Sequence, residues 1–306
     1  MAEITLLDGG MGQELIRRSG KPAAPLWSTQ VMIDHPGLVG EIHADYADAG
    51  ATVATVNSYA IHRDRLLGGN SNHYASDDVK LPNLEHMFEA FHSAALTEAD
   101  TVRDRSRIAG SVGPLGASYR SDIHPAFDDA LPLYAEVVHL LAPRSDIILF
   151  ETIASVEAAK ACLAAGRQSD KPVWLSFTVS DEDGSRLRSG EPLSDALDII
   201  READTALANC SVPEVMPAAL DVLARGTSAY GACANAFTKI ETVFIEGGAT
   251  ADSLSARQDM TPEAYADHAM AWIDQGATLV GGCCETGPAH IAAIADRVKA
   301  AGHTLV

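Results

Sequence analysis

No apolar run in this chain approaches the roughly 18 residues that a helix needs to span a bilayer, so no membrane span is predicted. Positive charge is also short: 22 Lys and Arg stand against 42 Asp and Glu, for a formal charge of −20. Nucleic-acid phosphates and anionic membranes both require a basic surface, so neither is an expected partner. Cysteine is scarce, with five in 306 residues, and so small and odd a number argues against a disulfide framework. The first residues, Met1-Ala2-Glu3-Ile4-Thr5-Leu6-Leu7-Asp8, lack the basic start and long apolar core of a secretory signal, which predicts a cytoplasmic protein. There is no low-complexity stretch and no long Pro/Ser linker, which points to a single domain over residues 1–306. No Gly-rich dinucleotide fingerprint follows any apolar run, which disfavours an open doubly wound sheet. The Gly-rich turn Gly9-Gly10-Met11-Gly12 lacks the Gly-Lys-Ser/Thr of a phosphate loop.

What the chain does have is a repeated short apolar run. Eight stand out, at 4–7, 52–56, 108–112, 147–150, 173–177, 205–209, 228–232 and 278–281. The intervening segments carry helical spacing. Leu38, Ile42, Tyr46 and Ala49 recur every three or four residues, as do Tyr265, Ala269, Trp272 and Ile273 after the cap-and-proline start Thr261-Pro262. Two helix-to-strand joints echo each other: Asp48-Ala49-Gly50-Ala51-Thr52-Val53 and Asp274-Gln275-Gly276-Ala277-Thr278-Leu279. In both, glycine stands where a helix C-cap belongs and a strand follows. Repeated helix–glycine–strand units imply parallel strands with crossover helices. Eight of them predict an α/β fold, a TIM (β/α)8 barrel, with an open doubly wound sheet as the runner-up.

In a barrel of this type the active site lies at the C-terminal ends of the strands. The polar residues at those ends are Asp8, Asn57, Glu151, Thr178, Cys210, Cys283 and Cys284. Cys210 closes the sixth run, and Cys283 and Cys284 follow Gly281-Gly282 at the end of the eighth. Adjacent residues on a regular strand point to opposite faces, so both cysteines can serve one ion only if the strand has already broken. The two glycines permit that break. Three thiols arriving from two strand ends can bind Zn2+ and leave a fourth position open for a substrate. Small core residues or a vicinal disulfide are the competing readings. Cys162, in Ala-rich helical sequence, is expected in the core, and Cys233 is expected to be structural, with a place facing the site as the alternative.

Three thiolates on divalent zinc suit a thiol substrate, which ionises on binding and becomes a nucleophile at neutral pH. The expected chemistry is alkyl transfer to sulfur, with no catalytic group beyond the zinc-activated substrate thiol. Glu151, after four apolar residues, is a candidate for a substrate ammonium group, or else one half of a structural ion pair. Asp8 and the glycines after it, Gly9 first, are a candidate cradle for the rest of an amino acid, or else a plain turn. His35, His43, His62 and His139 lack metal spacing and are expected at the surface or in packing. Asp181-Glu182-Asp183-Gly184 reads as a solvated turn.

These segments together resemble the homocysteine S-methyltransferase family, the zinc-dependent barrels that methylate homocysteine to methionine. Leu7-Asp8-Gly9-Gly10-Met11-Gly12-Gln13-Glu14-Leu15 is similar to its strand-1 motif. Leu26-Trp27-Ser28 and Asn57-Ser58-Tyr59 are similar to its second unit. Phe150-Glu151-Thr152, Ser176-Phe177-Thr178, Asn209-Cys210-Ser211 and Gly281-Gly282-Cys283-Cys284 follow in the family's order. The resemblance implies zinc on Cys210, Cys283 and Cys284, and Asp8 and Glu151 on the amino-acid part of homocysteine. It also implies Tyr59 and Asn209 lining the site. The family's Tyr-Pro-Asn after strand 7 is replaced by Tyr230-Gly231-Ala232-Cys233-Ala234-Asn235-Ala236, without proline. The length matches the short members of the family, which implies a sulfonium donor, S-methylmethionine or S-adenosylmethionine. Other acceptors, thiol or selenol, and a non-catalytic zinc- or thiol-binding barrel are the alternatives. The expected partners are thus a small thiol and a sulfonium donor, with a homo-oligomer left open.

Overall fold

Apolar residues dominate the eight runs, and in a computed structural model each contributes a strand. The structure describes residues 1–20, 27–66, 84–238, 240 and 255–306, so Leu26 of the second motif lies outside the described residues. The strands are β1 (Glu3–Leu6), β2 (Val53–Thr55), β3 (Arg107–Val112), β4 (Ile147–Ile153), β5 (Val173–Phe177), β6 (Thr205–Asn209), β7 (Tyr230–Cys233) and β8 (Leu279–Val280). All pair in parallel in the order β2-β3-β4-β5-β6-β7-β8-β1. A Leu7–Val53 bridge, with the Thr52 N–H donating to the Leu6 carbonyl at 2.7 Å, joins the two ends of that order. The result is the expected TIM (β/α)8 barrel.

A ninth strand, β9 (Thr304–Leu305), was not expected. It pairs with the start of β1 through Glu3–Thr304 and Ile4–Leu305, while the end of β1 turns to β2. Its origin is a third copy of the glycine joint. Gly50, Gly276 and Gly302 all have positive φ, at 108°, 106° and 82°. At each, the residue after the glycine donates to the carbonyl five residues back: Ala51 to Tyr46, Ala277 to Trp272, and His303 to Val298. The glycines themselves donate to Ala47, Ile273 and Lys299. Three Schellman caps therefore end three helices and launch β2, β8 and β9.

The helical periodicities place their apolar residues inward. In the helix Leu38–Asp48, Ile42 and Tyr46 are buried; in Pro262–Asp274, Tyr265, Ala269, Trp272 and Ile273 are buried, and Thr261 caps by accepting from the Ala264 N–H. A large outer core lies between strands and helices, and a smaller one fills the barrel. Strand alternation divides them. Ile147 and Leu149 join the inner core, whereas Ile148 and Phe150 join the outer one. Continued by two residues, the inner series turns polar at the C-terminal rim: Val53 to Thr55, Ala109 to Ser111, Leu149 to Glu151, Leu207 to Asn209. Among the described residues no helix is long and apolar enough to cross a membrane.

Candidate metal and substrate site

The rim is held by backbone in unusual conformations. Cys210, Thr152, Tyr119 and Glu285 have φ of 53°, 60°, 67° and 62°, a region that costs non-glycine residues on the order of 1–3 kcal/mol each. Thr152 sits where the β4–β5 register shifts between Phe150 and Ile153, a bulge that re-aims Glu151. Asn209 secures it, its side-chain oxygen accepting from the Thr152 N–H at 3.1 Å and its amide donating to the Thr152 hydroxyl at 3.3 Å. Asn209 is thus engaged with the backbone beside Glu151, both of its amide groups turned to Thr152.

β8 ends at Val280, so Gly281-Gly282-Cys283-Cys284 lies beyond the strand, as adjacent ligands require. The segment is tied on both sides. Cys283 N–H donates to the Ala234 carbonyl at 3.1 Å, and the Cys284 carbonyl accepts from Ala236 at 3.0 Å. Tyr265 bridges the ends of β7 and β8, donating to the carbonyls of Ala234 and Gly281 at 2.8 and 2.9 Å. Opposite, the Thr286 carbonyl accepts from Gly10 N–H and from the Tyr46 hydroxyl.

This seam explains the glycines of the first turn. A Cβ on Gly9 would lie 2.3 Å from the Thr286 carbonyl oxygen, and one on Gly10 would lie 2.7 Å from that of Cys283. Gly10 spends its N–H on Thr286, whereas the Gly9 N–H has no acceptor among the described residues. Gly9→Ala is expected to lower stability by about 1–3 kcal/mol by overpacking and to loosen the cysteine segment. Urea denaturation, with metal content measured beside it, checks this.

The three cysteines meet. Cys210 Sγ lies 2.9 Å from Cys283 Sγ and 3.8 Å from Cys284 Sγ, and all three lie within 4.8 Å of one another. With Zn–S bonds of about 2.3 Å, tetrahedral geometry sets sulfurs about 3.8 Å apart. One ion can reach all three, and the all-sulfur donor set fits zinc. Cys210 is buried and Cys283 and Cys284 are half-buried. The Cys283 and Cys284 thiols hold Cys210 well below the usual thiol range, against the effect of burial and helped by Tyr119 and Arg188. The contact with Cys210 in turn pushes Cys283 and Cys284 up.

The carboxylates converge beside them. Asp8, almost fully buried, accepts from the Thr55 N–H and the Thr55 hydroxyl, each at 2.7 Å. Burial raises its pKa to about 7 against those bonds. Glu151 accepts from the Ser111 hydroxyl; burial raises it to about 7, with the charges of Asp8 and Cys210 adding to the rise. Glu151 thus feels the charge of both Asp8 and Cys210 across the rim.

Thr178 is buried and supports the Cys210 backbone, its hydroxyl 3.4 Å from the Cys210 carbonyl and 3.3 Å from the Ser211 hydroxyl. Tyr59 is half-buried, its hydroxyl 2.7 Å from that of Ser118 and its ring edge-on to Trp27 at 6.5 Å. Cys233 sits in the inner core and outside the cysteine cluster; burial, with Glu151 next, keeps it a neutral thiol. Cys162 is core, as expected. His43 and His62 are buried in packing. Asp181 is the exception to its solvated turn: its side chain is 4% exposed and accepts from the Val212 and Ile240 N–H groups. Thr55, Ser111 and Tyr119 were not foreseen. The first two lie on the inner-face alternation; Tyr119 carries no such signal.

Comparison with known proteins gives the same answer as the geometry. The family model for homocysteine S-methyltransferase matches residues 5–298. The chain is 30% identical to homocysteine S-methyltransferase of Escherichia coli (strain K12), over 96% of this chain and 95% of that protein. It is 26% identical to selenocysteine methyltransferase of Astragalus bisulcatus, over 94% and 90%. Among solved structures it superposes on the metallated form of the homocysteine methyltransferase MmuM from Escherichia coli with a TM-score of 0.76, at 26% identity and 96% coverage of both chains.

Proposed function

The chain belongs to the homocysteine S-methyltransferase family, and from that premise we propose that it transfers a methyl group from a sulfonium donor to the thiol of homocysteine, giving methionine, with zinc on Cys210, Cys283 and Cys284. The observation that carries the reading is the meeting of three sulfurs from two strand ends, at the same rim as the buried Asp8 and the half-buried Glu151. Zinc bound to those sulfurs supplies a position that favours the ionised form of one further sulfur ligand.

The remaining work falls to the chain. Asp8 and Glu151, when ionised, attract the ammonium group of the acceptor and so fix its sulfur relative to the cysteines. Thr55 and Ser111 hold those carboxylates in place. The Gly9 N–H offers a donor to the acceptor's carboxylate. The methyl then passes in line from the sulfonium to the acceptor sulfur. The donor leaves as a neutral thioether, so the transfer needs no proton from the protein. S-methylmethionine and S-adenosylmethionine are the two donors to compare.

A second acceptor class, a selenol, is favoured by the proline-free segment after β7 and by the likeness to selenocysteine methyltransferase. Zinc per chain, measured with and without homocysteine and followed by a donor and acceptor panel, tests the proposal. About one zinc, with homocysteine the best acceptor, supports it. No zinc after reduction and reconstitution overturns it, and a preference for selenol moves it to the second class.

The carboxylates give the site a pH dependence with a definite sign. Below pH 7 Asp8 and Glu151 take up protons and lose their attraction for an ammonium group. Methionine, which has no titrating thiol, should therefore bind more tightly as pH rises from 6 to 8, by about tenfold per carboxylate. The empty protein follows the opposite course. A pKa raised on folding gives stability that is full below about pH 4 and is lost as pH rises through about 7. Calorimetric titration with methionine and melting without it check the two signs.

A further inference from the structure

Hydrogen bonds to a metal-binding sulfur set how much charge it gives up. Cys210 receives one from outside the cysteine triad: the Tyr119 hydroxyl donates to its Sγ at 3.1 Å. Tyr119 lies in the loop after β3, 7% exposed, with its backbone in the left-handed region. Its ring is covered by Arg188, whose guanidinium carbon lies 5.2 Å from the ring centre. Arg188 is itself fixed. It pairs with Asp181 at 2.8 Å, with side chains 10% and 4% exposed, and its Nε lies 3.4 Å from the Thr178 hydroxyl. Asp181 in turn accepts from the N–H groups of Val212 and Ile240, which belong to the loops after β6 and β7. A carboxylate, a guanidinium, a phenol and a cysteine sulfur thus form one connected line, drawn from the loops after β3, β5 and β6.

We propose that Tyr119 is a positioning residue that draws charge from the Cys210 sulfur, with Arg188 holding and polarising its ring. The proposal rests on the metal reading above. Three thiolates around a divalent ion carry a net negative charge, which resides on the sulfurs. A cation stacked on the phenol makes its hydroxyl a stronger donor, and the donor takes up part of that charge. Cys210 then gives less to the metal, and the fourth position pulls harder on the sulfur of the acceptor. The same hydrogen bond makes Cys210 a poorer nucleophile toward a sulfonium, which leaves the acceptor sulfur as the favoured target. Phenylalanine has the same shape and keeps the ring beneath Arg188.

The test uses protein loaded with Co2+, whose sulfur-to-cobalt absorption reports the charge on the ligands. In Tyr119→Phe the charge-transfer band should move to lower energy, while the ligand-field bands keep their tetrahedral pattern. Homocysteine affinity, read from the same spectra, should weaken by roughly threefold to tenfold, with a smaller change in kcat. Arg188→Met keeps the hydroxyl and should move both quantities the same way by less. A wild-type band and wild-type homocysteine affinity in Tyr119→Phe would overturn the proposal. Should that variant fail to fold, Arg188→Met decides alone, and an unshifted band there overturns it. Wild-type protein that takes up no cobalt would remove the metal site itself, a result distinct from an unshifted band.

Discussion

Cys284→Ser should abolish metal binding and methyl transfer while the barrel stays folded. Serine is nearly the shape of cysteine, but its hydroxyl does not ionise near neutral pH and is a poor partner for a soft metal site. Zinc per chain should fall from about one to near zero. Methyl transfer should fall by on the order of a thousandfold or more, since the acceptor thiol loses the group that ionises it. The fold should hold because Cys284 is half-buried in a loop and lies outside the main core. Cys233→Ser is the matched control. It buries a hydroxyl in the inner core, at a cost of about 1–3 kcal/mol, yet leaves the metal in place. Metal analysis, turnover and thermal melting separate the two. Full zinc in Cys284→Ser would sink the three-sulfur site.

Glu151→Gln is the second large effect and has a different signature. The amide keeps the volume and can still accept from Ser111, but the charge is gone. Removing one side of a buried charge pair costs about 2–5 kcal/mol, so KM for homocysteine should rise by roughly 30-fold to a few thousandfold. Metal content should stay at the wild-type level, which distinguishes this loss from that of Cys284→Ser. Asp8→Asn should behave worse. Asp8 accepts from both an N–H and a hydroxyl of Thr55, and an amide NH2 would face one of those donors. A KM unchanged in Glu151→Gln would take that carboxylate out of the acceptor site.

These residues also show where a sequence speaks and where it falls silent. Glu151 and Cys210 were legible because each ends an apolar run, and a polar group there must face something. The break before Cys283 was legible because two glycines precede it. Ser111 and Thr55 lay within reach of the same logic, since they continue the inner-face alternation of Ala109 and Val53. Ser and Thr are ordinary in strands, so that continuation carries no mark of function. β9 leaves only the joint Gly302-His303-Thr304-Leu305, a repeat of those at Gly50 and Gly276, because two residues of strand give no periodicity of their own. Tyr119 and Arg188 were beyond sequence reasoning. Neither ends a strand, and they stand 91 and 22 residues from Cys210 along the chain. Only the closing of the barrel makes them neighbours.

The seam between the first turn and the cysteine segment carries a consequence for the order of assembly. Tyr46 and Thr286 are 240 residues apart, and Ala2 and His303 are 301 apart, so the contacts that finish the barrel join its two ends. Contacts of such span are late in folding, because the whole intervening loop must be closed first. During synthesis Asp8, Thr55, Glu151 and Cys210 emerge well before Cys283 and Cys284. Until the last strands arrive there is one thiol at the rim and no pair to hold an ion. On the proposed reading, metal can therefore load only once Cys283 and Cys284 have joined Cys210. The step that closes the barrel also brings three oxidisable sulfurs into contact, so its final moments as an empty fold are those in which it most needs a reducing surrounding.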